Sequence, residues 1–519
     1  MPRLLRKPRK MLDAQCLEEP DLVFGNQGEE KDPRLGMSQF GPYFSPGEKA
    51  PTPGRIRIGI IGSGETTAWG ERVILRLGLP IESTHTNKWL YPDFDGFSLA
   101  SRVQCEFSIV DSQDGLILPQ EIKAVLSVAD PNLRIASASN LLVSKVERFL
   151  AEDSPPEVLL IALPPDIEEF CGIGDRTRGA KRPSFTEQEK LLADLRDSGQ
   201  RFLDDWGLEV IGGPEPPPDK DYDLRNAIKG KVMRLRQAVP VQLLRAEPAQ
   251  KFLTGSGVED GSLVPAHFAW NLATGLYYKA KGRPWRLAKL PPGTCYVGVS
   301  FFRDLRSPDQ RLQTSMAQVF THSGDGFVLR GSEVMIDADS KEAHLSEKQA
   351  RELLSGVLRK YRDKAGIGAR RVVIHKTSGF SPEETSGFVS EIGTRPYDLV
   401  SFHSDDPARM LRFGDFPVLR GTLLSLSARD HLLYTSGYIP RIRTYPGVRV
   451  PEPLHLRHEG AGPIKSVAAE ILGLTKLNWN TTSFATRQPI TLEFARQVGR
   501  VLSELEPGAE VQDHYRFYM

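Results

Sequence analysis

The sequence predicts an α/β protein of two lobes, and three observations carry that reading. In the first half, short apolar runs alternate with helical patterns, as in a parallel sheet with crossover helices. In the second half, three strands in a block precede a helix, a strand, a helix, further strands and a final helix. Between the halves, residues 289–294 (KLPPGT) interrupt both patterns. At 519 residues the chain has length for about three domains or two large ones.

Taken in order, residues 1–54 are Pro/Gly-rich and read as an irregular N-terminal extension. Its first ten residues (MPRLLRKPRK) are basic but lack the apolar stretch of a signal peptide, and read as a mobile arm. Arg55–Gly62 (RIRIGIIG) reads as a buried strand. Further strands are expected at 157–164 (EVLLIALP), 207–212 (GLEVIG) and 240–245 (PVQLLR), with a helix at 186–203. The second half opens on a strand at 295–302 (CYVGVSFF). Two more strands are expected around 313–321 and 327–336, joined by a hairpin turn at 323–326 (SGDG). Ser346 and Gln349 form a capping box ahead of the stripe Ala350, Leu353, Leu354, Val357, Leu358 and Tyr361. Residues 371–375 (RVVIH) make another strand, and Ser381, Pro382 and Glu384 start another helix. This order resembles an RNase H-like fold.

Composition narrows the function classes. With 67 basic and 66 acidic residues the net charge is +1, which excludes a protein that holds nucleic acid merely by being basic. The four cysteines lie far apart with no CxxC, so neither a disulfide framework nor cysteine metal-ligand spacing is expected, and reduced thiols suit the cytoplasm. No run approaches about 18 apolar residues, so no membrane span is expected. The charge is segregated, however. Residues 225–245 hold six basic residues and no acid, and 277–289 hold five, interleaved with Tyr277, Tyr278 and Trp285. Residues 438–449 add Arg441, Arg443 and Arg449 beside Tyr438 and Tyr445. Cations that neutralise phosphates, next to aromatic stacking faces, suit a nucleic-acid strand in a positive channel.

Other motifs are incomplete. Gly62-Ser63-Gly64 follows a strand, but Thr67 stands at the third glycine of a dinucleotide fingerprint; a plain strand-to-helix turn and a nucleotide site both remain open. Residues 174–181 (GDRTRGAK) miss a phosphate-binding loop because Ala180 separates Gly179 from Lys181. His403-Ser404-Asp405 has the residue types of a triad, but a triad is assembled in space. An RNase H-like nuclease needs clustered carboxylates for two metal ions. Here the first strand has Ser300 at its centre and the fourth ends His375-Lys376-Thr377-Ser378-Gly379, groups that cannot hold two Mg²⁺.

Residues 474–501 (LTKLNWNTTSFATRQPITLEFARQVGRV) resemble the end of a prokaryotic Argonaute PIWI domain. So do 433–451, with their YTSGYIPR and YPGVRVP elements. YVGVSFF and RRVVIHKTSGF match the PIWI strands that carry catalytic acids in active members. Residues 271–287 (NLATGLYYKAKGRPWRL) match the MID–PIWI junction. The resemblance covers roughly residues 15–519 and leaves no room for N and PAZ domains, so it is to a short Argonaute. It implies an extension at 1–54, a Rossmann-like MID domain at 55–285 and an RNase H-like PIWI domain at 286–519.

Position by position, the resemblance puts Ser300, Thr377 and Arg496 where active members have acids, with Glu333 a candidate for the remaining glutamate. It therefore implies a guide–target platform that does not slice. It implies a guide 5′-phosphate pocket of Arg225, Lys229, Gln242 and Lys279, closed by the Met519 carboxylate and a Mg²⁺ ion. It places Lys231, Arg283, Lys376, Arg441 and Arg443 along the nucleic-acid channel. The implied partners are a guide RNA, a single-stranded DNA target and an APAZ-containing effector of Sir2, TIR or nuclease type. The last would form a heterodimer that oligomerises when activated in prokaryotic immunity. Two other readings stand beside it: a slicing-competent Argonaute, and a nucleotide-dependent α/β enzyme using Gly62-Ser63-Gly64.

Overall fold

The computed structural model describes residues 13–172, 222–259, 262–303, 312–320, 326–333, 335–336, 343–403, 408–447, 449–506 and 509–519. The expected strand at 207–212, the helix at 186–203, the loop at 174–181 and the basic arm at 1–10 lie outside the described residues.

Residues 13–54, expected to be irregular, carry β1 (Asp13–Cys16), β2 (Leu22–Val23), β3 (Glu29–Glu30) and α1 (Pro33–Phe40). Strands of two to four residues are too short to show a period, so tertiary pairing defines them. α1 starts where Asp32 accepts hydrogen bonds from the amides of Arg34 and Leu35 at 2.8 and 3.2 Å, with Pro33 in its first turn.

The first lobe follows as β4 (Arg55–Gly62), α2 (Gly64–Leu77), β5 (Glu106–Val110), α3 (Pro119–Leu126), α4 (Pro131–Leu150), β6 (Val158–Ala162) and α5 (Pro165–Cys171). After the undescribed segment come α6 (Leu224–Met233), β7 (Val241–Leu244), α7 (Ala246–Thr254), α8 (Ser256–Glu259) and α9 (Pro265–Lys279). The sheet order is β5-β4-β6-β7, all parallel. Alternation along the strands feeds two cores. Ile56, Ile58, Ile60, Val158 and Leu160 cluster with Val73, Ile74 and Leu77 of α2. Ile61, Leu159 and Ile161 cluster with Leu142, Val146 and Phe149 of α4 and with Leu224, Ile228 and Val232 of α6. β5 was not expected: EFSIV sits at the sheet edge, and all five of its residues are only half-buried.

The second lobe contains β8 (Arg286–Leu287), β9 (Thr294–Arg303), β10 (Leu312–Phe320), β11 (Gly326–Glu333), β12 (Met335–Ile336), β13 (Ala343–His344), α10 (Glu347–Ala365) and β14 (Arg371–Lys376). It continues with α11 (Pro382–Ile392), β15 (Tyr397–His403), β16 (Thr422–Ser425), β17 (Asp430–Leu433), β18 (Leu454–Gly460), α12 (Ile464–Leu474) and α13 (Ile490–Leu502). Its sheet runs β1-β16-β17-β18-β15-β14-β9-β10-β11. β9, β10 and β11 form an antiparallel meander, β14 and β15 run parallel to β9, and β18 runs antiparallel to β15. This is the RNase H-like order. β1 closes the far edge by pairing Asp13–Cys16 with Thr422–Ser425.

α10 and α11 cover one face, where Leu354, Val357 and Phe388 meet Cys295, Val297 and Val299. α13 crosses the other face, over β9 and β10. Gly298 permits that crossing: a Cβ there would lie 2.2 Å from the Thr491 carbonyl oxygen. One apolar cluster runs through both lobes, joining Ile58 and Leu160 to Phe494, Val498 and Tyr515.

Candidate nucleic-acid interface

Five of the sequence-predicted residues meet where the lobes join. Arg225 and Lys229 stand one turn apart on α6, whose N-cap Asp223 accepts from the Asn226 amide at 2.8 Å. Gln242 comes from β7 and Lys279 ends α9. Lys279 Nζ donates to Gln242 Oε1 at 2.9 Å, while Gln242 Nε2 is held by the Leu243 carbonyl at 3.0 Å. Lys229 Nζ donates to the backbone oxygens of Met519 and of Tyr518, the latter at 3.3 Å. The tail of the second lobe thus reaches a lysine of the first.

The electrostatics are those of an anion trap. Lys229 and Lys279 are 2% and 1% exposed. Burial, then the Arg225 and Lys279 charges, push the Lys229 ammonium well below its ordinary range. Burial followed by Arg225 pulls Lys279 down to about 7. Among the described residues no Asp or Glu carboxylate forms an ion pair with Arg225, Lys229 or Lys279. Two buried ammonium groups, a guanidinium and an oriented amide favour an anion with several acceptor oxygens. Mg²⁺, which takes about six oxygen ligands in octahedral geometry, does not fit this donor set by itself. The side-chain oxygen of Gln242 and the backbone oxygen of Met519 already accept from lysines. Among the described residues no group of three or more His, Cys, Asp or Glu could hold a metal ion.

The residues expected along a channel are less uniform. Lys376 is a correction: it is wholly buried, and its ammonium lies 2.6 Å from both carboxylate oxygens of the equally buried Glu384. β14 directs it inward beneath Phe301 and Phe380, so it stabilises the lobe and meets no solvent-borne strand. Lys231 turns to α4, donating to Ser139 Oγ at 2.6 Å and Asn140 Oδ1 at 2.8 Å. Arg283 is held by Glu48 at 2.5 Å and Ser45 at 2.9 Å, over the Tyr43 ring. Arg441 and Arg443 share one platform, their guanidinium carbons 5.2 and 4.9 Å from the Trp89 ring centroid. Arg441 is also paired with Glu30 at 2.7 Å.

Ser300, Thr377 and Arg496 line a single cavity of about 410 Å³ with Phe301, Phe302, Leu492, Gly499, Arg500 and Ser503. Three positions far apart in sequence, aligned only by resemblance, therefore converge. Glu333 ends β11, and its side chain lies outside the described residues.

Sequence reasoning missed Arg500, although its spacing of four from Arg496 on one helix was a usable signal. It also missed a buried cluster in which Glu19 accepts from Arg420 at 2.9 Å and from Lys476 at 2.8 Å. Glu19 and Arg420 sit in irregular segments, so no periodic pattern flags them. The same holds for a second cavity, of about 300 Å³, whose lining includes Arg34, Tyr91, His267, Arg420, Tyr445 and Arg487. At Gly62-Ser63-Gly64 the hydroxyls are committed locally. Ser63 caps α2 reciprocally with Thr66, and Thr66 Oγ1 donates to the Ala162 carbonyl at 2.8 Å.

Solved structures similar to this chain are Argonautes. Clostridium butyricum Argonaute, bound to a guide DNA and a 19-mer target DNA, is 15% identical with a TM-score of 0.58. The match covers 96% of this chain and 54% of that one. A. aeolicus Argonaute matches at 13% identity and a TM-score of 0.52, covering 96% of this chain and 54% of its own. Aa-Ago with externally bound siRNA matches at 12% and 0.52, covering 97% and 56%. The chain spans about half the length of the Argonautes it matches, and over that span it has an Argonaute fold. No family model matches the sequence, and no curated protein matches it. Among the described residues no helix is long and apolar enough to cross a membrane.

Proposed function

We propose that this chain is the guide-dependent recognition subunit of a prokaryotic defence system. It holds a short guide by its 5′ phosphate, RNA being the guide we assign, and presents the guide bases to a complementary single-stranded DNA. The guide specifies the sequence while the protein holds backbone phosphate, a division of labour used by other RNA-guided systems. The observation that carries this reading is the anion-seeking cluster of Arg225, Lys229, Gln242 and Lys279 at the Met519 tail. The Argonaute fold supports it, as does the guide and target DNA bound by the Clostridium butyricum protein.

In this reading the second lobe is a platform and does not cut. Ser300, Thr377 and Arg496 offer no carboxylate at the aligned places. The output passes to an APAZ-containing partner, an NADase of Sir2 or TIR type or a nuclease, in a heterodimer that assembles further on activation. Target pairing would favour the active state of that partner through differential contacts with the paired and unpaired forms.

The test is binding by the purified full chain. A labelled DNA complement should be retained only with a 5′-phosphorylated guide, uncut in Mg²⁺ or Mn²⁺. Lys229→Ala combined with Lys279→Ala should abolish the preference for the phosphorylated guide. Equal binding of 5′-phosphate and 5′-hydroxyl guides by the unmodified protein would remove the pocket assignment. A guide-dependent cleavage product lost on Glu333→Gln would remove the platform reading.

A further inference from the structure

The cavity at Ser300 has a chemistry of its own. None of its nine lining residues is acidic. Arg496 and Arg500 stand one turn apart on the exposed face of α13, and Gly499 presents no side chain between them and the cavity. Gln488 Oε1 accepts from Arg496 at 2.5 Å, which orients that guanidinium and leaves most of its N–H donors available. Among the described residues neither arginine pairs with a carboxylate. Ser300, 7% exposed and within β9, and the exposed Thr377, just past the end of the parallel β14, bring hydroxyls from adjacent strands. Phe301, Phe302 and Leu492 supply apolar wall, which lowers the local dielectric and strengthens charge recognition.

We infer that this cavity seats a backbone phosphodiester of the bound nucleic acid, gripped by Arg496 and Arg500 and by the hydroxyls of Ser300 and Thr377. The inference rests on the guide–target reading above and adds a second anchoring point to it. A carboxylate cluster approaches a phosphodiester only through divalent cations, which also activate water for attack. Guanidinium groups approach the same oxygens directly, in a planar two-point geometry, and activate nothing. Where the resemblance places acids, Ser300, Thr377 and Arg496, with Arg500 one turn further on, would therefore make a holding position in place of a cutting one.

The experiment walks a neutral methylphosphonate linkage through the DNA target, then through the guide, and measures ternary-complex affinity for the unmodified chain and for R496Q/R500Q. One linkage, or two adjacent ones, should weaken binding by about tenfold in the unmodified chain and have no effect in the variant. The strand in which they occur identifies the source of the phosphate. The variant should bind guide alone normally if the sensitive linkage lies in the target and more weakly if it lies in the guide, and in either case the log K against log salt slope of the ternary complex should be shallower by about one to two. Guided target binding with no sensitive linkage, or with the same sensitivity in both proteins, overturns the phosphodiester seat alone. Absence of guided target binding by the unmodified chain overturns the guide–target reading and this inference with it.

Discussion

On the proposed reading, the depressed Lys279 ammonium makes recognition of a guide 5′ phosphate pH-dependent in a predictable direction. Burial and Arg225 hold this lysine near 7 in the guide-free protein. A phosphate beside it reverses the penalty and returns it towards the ordinary lysine value of about 10.4. Phosphate binding therefore takes up a proton whenever free Lys279 is neutral. At pH 6 about nine-tenths of free Lys279 is charged; at pH 8 about one-tenth is. Affinity should fall about tenfold across that window, or about 1.4 kcal/mol. The readout is the ratio of dissociation constants for 5′-hydroxyl and 5′-phosphorylated guides of one sequence, by fluorescence anisotropy at fixed ionic strength. The ratio cancels contributions from the rest of the strand. Below about pH 6.5 the phosphate's own second ionisation, near 6, acts the opposite way, so the slope is read above that. In the guide-free protein the same shift makes folding stability rise with pH above about 7, because the unfolded lysine keeps a proton the folded one has lost. Lys279→Met should make both slopes shallower, the depressed Lys229 ammonium supplying what remains. A ratio that stays flat from pH 6.5 to 8.5, or an unchanged slope in Lys279→Met, would refute the reasoning.

Two stability measurements test the surrounding frame. Lys376→Met leaves Glu384 buried and unpaired, a loss of about 3–5 kcal/mol in denaturant unfolding. K376M/E384Q should recover part of it, and guide affinity should not change because Lys376 meets no solvent. Gly298→Ala drives a methyl into the Thr491 carbonyl and should cost about 1–3 kcal/mol, while Gly368→Ala, with nothing within 4 Å, should be near neutral in the same thermal melts.

Elements with a strong local period were legible in the sequence. RIRIGIIG and EVLLIALP became β4 and β6, and Ser346 with Gln349 opened α10 as a capping box. The meeting of Arg225, Lys229, Gln242 and Lys279 followed from the resemblance; the residues alone showed only that Arg225 and Lys229 share a helix face and that the segments around them carry no acid. Lys376 was misread because one sequence cannot distinguish a lysine at a strand end that faces solvent from one that faces Glu384. That distinction depends on α11 bringing Glu384 beneath the strand, eight residues on. The N-terminal segment was misread for a related reason: four residues of β1 carry no period, and what makes them a strand is Thr422–Ser425.

That last pairing sets a clock on assembly. Asp13 lies opposite Ser425, so the first described strand to be made waits for a partner synthesised about 400 residues later. At about 5–20 residues per second that is a wait of about 20–80 s. During it the first lobe can complete its own parallel sheet, whose strands lie between residues 55 and 244. Until residues 422–425 emerge, β1 offers its own unpaired backbone donors and acceptors to any passing strand. Trimming residues 1–54 would move that exposure to β16, whose edge would then stay unpaired in the folded second lobe.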